Sequence, residues 1–193
     1  MPRLADQHDL FADAPGQPEG FAYQDDLVSA AEARGLLACM AELDFRPFEF
    51  HGYLGKRRVV SYGWRYDFAA ASLREGAPIP DFLLPVRERA AVFAGVPAEG
   101  LRQVLINEYA PGAGVGWHRD KGMFADVIGI SLGSACMLNL RRARGDGWDR
   151  AGREVRPGSA YLLRGEARWS WEHCVPPVRR LRYSVTFRNF VTH

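Results

Sequence analysis

The residues best able to do chemistry lie in the stretch Asn107-Glu108-Tyr109-Ala110-Pro111-Gly112-Ala113-Gly114-Val115-Gly116-Trp117-His118-Arg119-Asp120. An imidazole and a carboxylate stand two residues apart there, just beyond a Gly/Pro-rich bend. In an extended segment the side chains at i and i+2 point the same way, so His118 and Asp120 can share one metal ion. Two imidazoles and one carboxylate on one face of a metal, with the other positions open, form the ligand set of non-heme iron(II) oxygenases. The third ligand must come from elsewhere in the chain. His173, in Trp169-Ser170-Trp171-Glu172-His173, is the leading candidate because its neighbours suggest a strand beside the core; a packed core histidine is the alternative. His8, His51 and His193 are the remaining imidazoles.

The last strand adds a second kind of chemistry. In Leu181-Arg182-Tyr183-Ser184-Val185-Thr186-Phe187-Arg188 the odd positions are apolar and the even ones polar. Period-two alternation gives one greasy and one polar face, so Arg182, Ser184, Thr186 and Arg188 look the same way. If that face is interior, two guanidiniums are buried and need anions, which a dicarboxylate would supply. If it is exterior, the same face is simply solvated. The six residues from Arg182 to Arg188 span roughly 20 Å of ideal strand, longer than a five-carbon diacid. Asn107 and Tyr109 repeat the i, i+2 spacing ahead of His118 and can offer an amide and a phenol to carboxylate oxygens.

The elements that would position these groups read as follows. Residues 1–20 are polar, Pro/Gly-containing and aperiodic, a loose N-terminal tail. Ser29 and Glu32 form a capping box for a helix to about Leu43, with Leu36, Leu37, Met40 and Leu43 on its buried face. Residues 45–68 are strand-rich and punctuated by glycines, with Lys56-Arg57-Arg58 at a turn. A second helix runs from about Asp81, near its cap, to Ala94. Short strands follow near 103–109, 126–132, 135–141, 159–164, 168–173 and 181–188. The class is α+β: residues 21–193 form a single domain, with helices and hairpins over 21–100 bracing a β-rich sandwich or barrel over 101–193.

Composition narrows the setting. The chain has 193 residues, is 47% hydrophobic and carries a net charge of +2, which does not announce a nucleic-acid binder. No apolar run reaches the ~18 residues of a membrane span. The acidic N-terminus lacks the core of a signal peptide, so a cytoplasmic monomer is expected. Cys39, Cys136 and Cys174 match neither a disulfide framework nor a zinc ribbon. Only Lys56 and Lys121 are lysines; all other basic residues are arginines.

Taken together, these residues resemble the AlkB-type iron(II)/2-oxoglutarate dioxygenases. The resemblance runs through Asn107-x-Tyr109-Ala110-Pro111-Gly112, His118-x-Asp120-Lys121, Ile130-Ser131-Leu132-Gly133, Gly165-Glu166-Ala167-Arg168 and Trp171-x-His173. It ends in Arg182-Tyr183-Ser184-Val185-Thr186-Phe187-Arg188 and so covers about residues 103–190. It implies a double-stranded β-helix (jelly roll) with His118, Asp120 and His173 on Fe(II). It implies 2-oxoglutarate held by Arg182 and Arg188, with Asn107, Tyr109 and Ser184 adding hydrogen bonds, and O2 as the other cosubstrate. The implied reaction yields succinate and CO2, and releases formaldehyde from an N-methyl group. The implied substrate is an alkylated base in single-stranded or base-flipped DNA or RNA, stacked on aromatic walls. The alternatives are the same chemistry on a protein side chain, or a relative that binds nucleic acid without turnover. Phe50–Tyr66 looks like the family's nucleotide-recognition hairpins, which nominates Tyr53, Tyr62, Trp64 and Tyr66 as the wall and Arg57 and Arg58 as phosphate contacts. The arginine-rich loop from Arg141 to Arg156 is a second phosphate candidate, and its Gly145, Asp146, Gly147 and Asp149 argue equally for a solvated hairpin loop. One position departs from the family's founding repair enzyme: an acidic residue two places after the metal aspartate is here Gly122.

Overall fold

The computed structural model describes residues 16–50, 53–67 and 72–191. The tail read over 1–20 lies outside these residues as far as position 15, as do His8, His51 and His193. Residues 18–20 are not loose. The Pro18 carbonyl accepts from Phe21, Glu19 from Ala167 and Gly20 from Arg164.

Two antiparallel sheets make the frame. The larger has the order β1 (Phe21–Gln24), β10 (Ala160–Leu163), β7 (Phe124–Leu132), β12 (Arg182–Phe190), β5 (Gln103–Tyr109), β3 (Tyr53–Asp67), β2 (Arg46–Phe50), with β4 (Ser72–Glu75) added to β3. The smaller runs β6 (Val115–His118), β11 (Glu172–Val175), β8 (Cys136–Arg144), β9 (Gly147–Val155). This is the jelly-roll arrangement expected from the string of short strands.

Each face of the larger sheet has its own core. On one side Val104, Ile106, Ile128, Ile130, Tyr183, Val185 and Phe187 pack under α1 (Ala30–Ala41) and α2 (Leu84–Ala94). On the other, Val127, Tyr161 and Leu163 meet Leu138, Leu140, Val155 and Val175 of the smaller sheet. The alternation in β12 therefore divides its residues between a helix-covered core and an inter-sheet space. Its polar face is interior: Arg182, Ser184, Thr186 and Arg188 are all buried.

The helices form close to where the sequence places them. Ser29 and Glu32 make a reciprocal capping box, and Leu36 and Met40 are buried. The second helix differs at its start, because Asp81–Leu83 is a 3-10 turn without a side-chain cap and the α-helix begins at Leu84.

Three expectations fail on tertiary grounds. Lys56-Arg57-Arg58 is not a turn but the middle of β3, paired with β5. The strand expected over 168–173 is first a short helix, α3 (Gly165–Trp169), and β11 starts only at Glu172. Arg141 to Arg156 is a hairpin of β8 and β9 rather than an open loop. Three of its arginines are paired internally, Arg141 with Glu172, Arg142 with Asp149 and Glu166, and Arg144 with Asp149. In β3, Gly63 takes φ +83°, and a Cβ there would stand 2.1 Å from the Arg102 carbonyl oxygen, so only glycine permits this close approach of β3 to the chain entering β5.

Candidate active site

Neighbouring strands of the smaller sheet carry the imidazoles. β6 ends at His118, and β11 sets His173 directly opposite it, with ring centres 4.3 Å apart. Asp120, two residues on, brings Oδ2 to 3.5 Å from His173 Nε2. One ligand atom from each of the three lies within 4.8 Å of the others. The fold thus joins the three residues the sequence nominates.

Their protonation suits a cation. His118 Nδ1 is 2.8 Å from the Gly116 carbonyl oxygen. A carbonyl cannot donate, so Nδ1 carries a proton, which in the neutral ring leaves the Nε2 lone pair for a metal. Burial pushes the His173 pKa down to about 3 despite the pull of Asp120, so this ring is neutral at neutral pH, the form that ligates metals. Burial also works against ionised Asp120. The charge of Arg188 is the largest of those that together outweigh it, and the carboxyl is held well below the usual carboxylate range.

Arg188 gives Nε and Nη2 to Asp120 Oδ1 at 2.9 and 2.6 Å, and Nη1 to Gln103 Oε1 at 3.0 Å. Its polar contacts therefore fix the carboxylate of the candidate metal cluster. At the far end of the same face Arg182 is 1% exposed. Its Nε donates to Ser131 Oγ at 3.3 Å, its guanidinium lies 5.0 Å from the centre of the Tyr109 ring, and its Nη1 is buried with no partner. An unpaired buried guanidinium is costly, and a carboxylate would relieve that cost. With Arg188 committed to Asp120, one diacid no longer has to span both arginines. Two imidazoles and a carboxylate fit iron(II), and the orphaned cation fits a 2-oxo diacid.

Asn107 lies between these ends. Its Oδ1 accepts from Arg57 Nη1 at 2.9 Å and its Nδ2 donates to Ser184 Oγ at 3.2 Å, which leaves one amide N–H toward the cavity. Asn107, Tyr109, Ser184, Thr186, Arg188 and Arg57 line that cavity together with His118, Asp120 and His173.

The family model for the 2OG-Fe(II) oxygenase superfamily matches residues 25–188. The chain belongs to that superfamily. Enzymes of that superfamily use iron(II), 2-oxoglutarate and O2. The chain's curated relatives include the Arabidopsis thaliana "Alkylated DNA repair protein ALKBH8 homolog", 30% identical over 78% of this chain and 49% of that protein. Another is the Mus musculus "tRNA (carboxymethyluridine(34)-5-O)-methyltransferase ALKBH8", 27% identical over 83% of this chain and 24% of that protein. The chain thus spans about half and about a quarter of these relatives' lengths. Among solved structures, OsALKBH1 superposes with a TM-score of 0.64 at 16% identity, covering 90% of this chain and 99% of that one. A Pseudomonas putida prolyl-4-hydroxylase gives 0.60 at 17% identity, covering 89% and 93%. At these identities the likeness is one of fold.

Of the residues nominated for substrate contact in this oxygenase, Arg57 joins the cavity, with its guanidinium 4.1 Å from the Phe48 ring centre. Arg58 turns to the opposite face, where its Nε donates to Glu108 Oε1 at 2.7 Å and Tyr183 Oη donates to Glu108 Oε2 at 2.9 Å. Tyr62 packs on the helix-side core, and Trp64 stacks with Arg102 at 3.8 Å. The side chains of Tyr53 and Tyr66 lie outside the described residues. Sequence reasoning missed Gln103 and Arg168. Buried Arg168 donates through Nη2 to the carbonyls of Lys121 and Phe124, both at 2.8 Å, and so fastens the loop after Asp120. Only its place in the Gly165–Arg168 motif hinted at a role.

The oxygenase has, among the described residues, no helix long and apolar enough to cross a membrane.

Proposed function

We propose that this oxygenase oxidises an alkyl group carried by a nucleic-acid base. The observation that carries the reading is one cavity holding the His118–Asp120–His173 cluster with, behind Tyr109, Arg182 Nη1 buried without a partner. In this reading His118, Asp120 and His173 hold the iron. Arg182, Tyr109 and Asn107 hold 2-oxoglutarate, Ser184 orients Asn107, and Arg188 fixes Asp120 so that Oδ2 is presented to the metal. Bound iron(II) with 2-oxoglutarate and O2 supplies oxidation of a substrate C–H bond, with succinate and CO2 as co-products. The chain's own task is to orient these partners and exclude water, and the burial of Asn107, Ser184 and Thr186 serves that end. A hydroxylated N-methyl group then leaves as formaldehyde.

Support for a base as the substrate comes from the relatives, whose names speak of alkylated DNA and of tRNA. Charge refines the choice. Asp120 is the only carboxylate among the described residues that line the cavity, and it is committed to Arg188. Arg57 faces the same space and Gly122 supplies no acid. An uncharged alkylated base suits this lining better than a cationic one, whose positive charge would find no free counter-ion.

The test is release of succinate and formaldehyde on methylated DNA, methylated RNA and methyl-lysine peptides, assayed in parallel with iron(II) and 2-oxoglutarate. Turnover on an oligonucleotide, lost in His118→Ala, is expected. Turnover on the peptide alone would overturn the nucleic-acid reading and leave the oxygenase chemistry standing.

A further inference from the structure

Across β7 from β12, Tyr161 and Gly129 form a fitted pair. β10 runs antiparallel to β7 with Tyr161 opposite Gly129, and Gly129 is in turn opposite Thr186 of β12. A Cβ built on Gly129 would stand 2.2 Å from Tyr161 Cζ and 2.5 Å from its oxygen. The ring therefore rests on bare backbone, and any side chain at position 129 would displace it.

The seated phenol has nothing to donate to. Tyr161 is 8% exposed and lines the cavity that holds His118, Asp120 and His173. Among the described residues no protein group hydrogen-bonds its oxygen, and the same holds for Tyr109 beside it. Burial pushes the Tyr161 phenol well above its ordinary pKa. Arg182 opposes that shift while Tyr109 and Asp120 add to it, so the phenol stays an O–H donor within the field of that guanidinium. Arg182 Nη1 is thus buried without an acceptor, and the two phenols of the cavity lining have no protein acceptor among the described residues. A carboxylate, acceptor-only and with about four lone-pair sites, is their complement.

We propose that Tyr161 is a further 2-oxoglutarate-binding residue. Its phenol donates to the carboxylate that Arg182 meets, and position 129 is glycine because the ring must lie there. The inference rests on the cosubstrate roles given above for Arg182 and Tyr109.

The experiment measures binding of 2-oxoglutarate and of 2-oxopentanoate, which lacks the second carboxylate, to Co(II)-loaded protein by calorimetry. Thermal melts are recorded without ligand. Tyr161→Phe keeps the ring and removes one hydrogen bond to a charged acceptor, so it is expected to weaken 2-oxoglutarate roughly tenfold or more. It should leave Co(II) binding, 2-oxopentanoate affinity and the melting temperature unchanged. Gly129→Ala is expected to lower the melting temperature when Tyr161 is present and to do so far less in a Tyr161→Leu background. Equal 2-oxoglutarate affinity for Tyr161→Phe and the parent, or an equal loss for both acids, would overturn the proposal. A parent protein that binds 2-oxopentanoate as well as 2-oxoglutarate overturns the Arg182 assignment itself, and this inference with it.

Discussion

Replacing Arg188 by Met tests whether its role is to hold the metal-cluster carboxylate. Both side chains of the pair are nearly sealed, at 9% exposure for Arg188 and 6% for Asp120. Two hydrogen bonds join them, and a third reaches Gln103. Arg188→Met leaves Asp120 as a buried carboxylate without its main counter-charge, which typically costs about 3–5 kcal/mol. In an Asp120→Asn background no charge is stranded. The same change then removes only the Gln103 bond and a weaker amide contact, about 1–2 kcal/mol. The expected coupling is therefore about 2–3 kcal/mol, read from urea denaturation of the four proteins at one pH without metal. Zn(II) should then narrow the gap between parent and Arg188→Met, because the cation supplies the charge that the guanidinium no longer does. Equal losses in the parent and in the Asp120→Asn background, or a gap that Zn(II) leaves untouched, would refute the reasoning.

Other expectations follow from single contacts. Arg182→Met should weaken 2-oxoglutarate by roughly thirtyfold or more, since it deletes one partner of a buried charge pair at about 2–5 kcal/mol. Calorimetry checks this, and the melting temperature of the ligand-free protein should not fall, because Nη1 is buried there without a partner. Burial alone would raise the Glu108 pKa, but Arg58 and the Tyr183 hydroxyl lower it below its ordinary value. Its stabilisation is therefore fully present above the unfolded carboxylate pKa and is lost as pH falls through the lower folded value. The stability gap between the parent and Glu108→Gln should close in acid, and a gap that stays constant from pH 7 to pH 3 counts against the assignment. Gly63→Ala should cost more than ~2 kcal/mol in urea melts, because it combines a positive φ with a collision against the Arg102 carbonyl.

What the sequence made legible was whatever repeats with the period of one strand. β12 reads correctly because its apolar and polar faces meet different interiors, and β5 for the same reason. β6 was missed because Val115-Gly116-Trp117-His118 is short, glycine-bearing and paired on one side only. β9 was read as a loop because it is the outer strand of the smaller sheet, where charged residues replace an apolar alternation. Arg57 and Arg58 looked like one basic cluster, yet period two sends the first into the cavity and the second to Glu108 on the other face. The metal cluster was visible because His118 and Asp120 are neighbours in sequence. The commitment of Arg188 to Asp120, and the seat of Tyr161 on Gly129, depend on strands meeting across the sheet, and no local spacing encodes that.

The two-sided role of β12 also limits how this protein can change over time. Tyr183, Val185 and Phe187 serve the helix-covered core while Arg182, Ser184, Thr186 and Arg188 serve the cavity, with register fixed against β5 on one side and β7 on the other. Single substitutions on the cavity face can retune what is bound with little effect on the core. Gaining or losing one residue within the strand would swap the faces, driving arginines into the greasy layer and aromatic rings into the site. This stretch is therefore constrained in its length as well as in its residues.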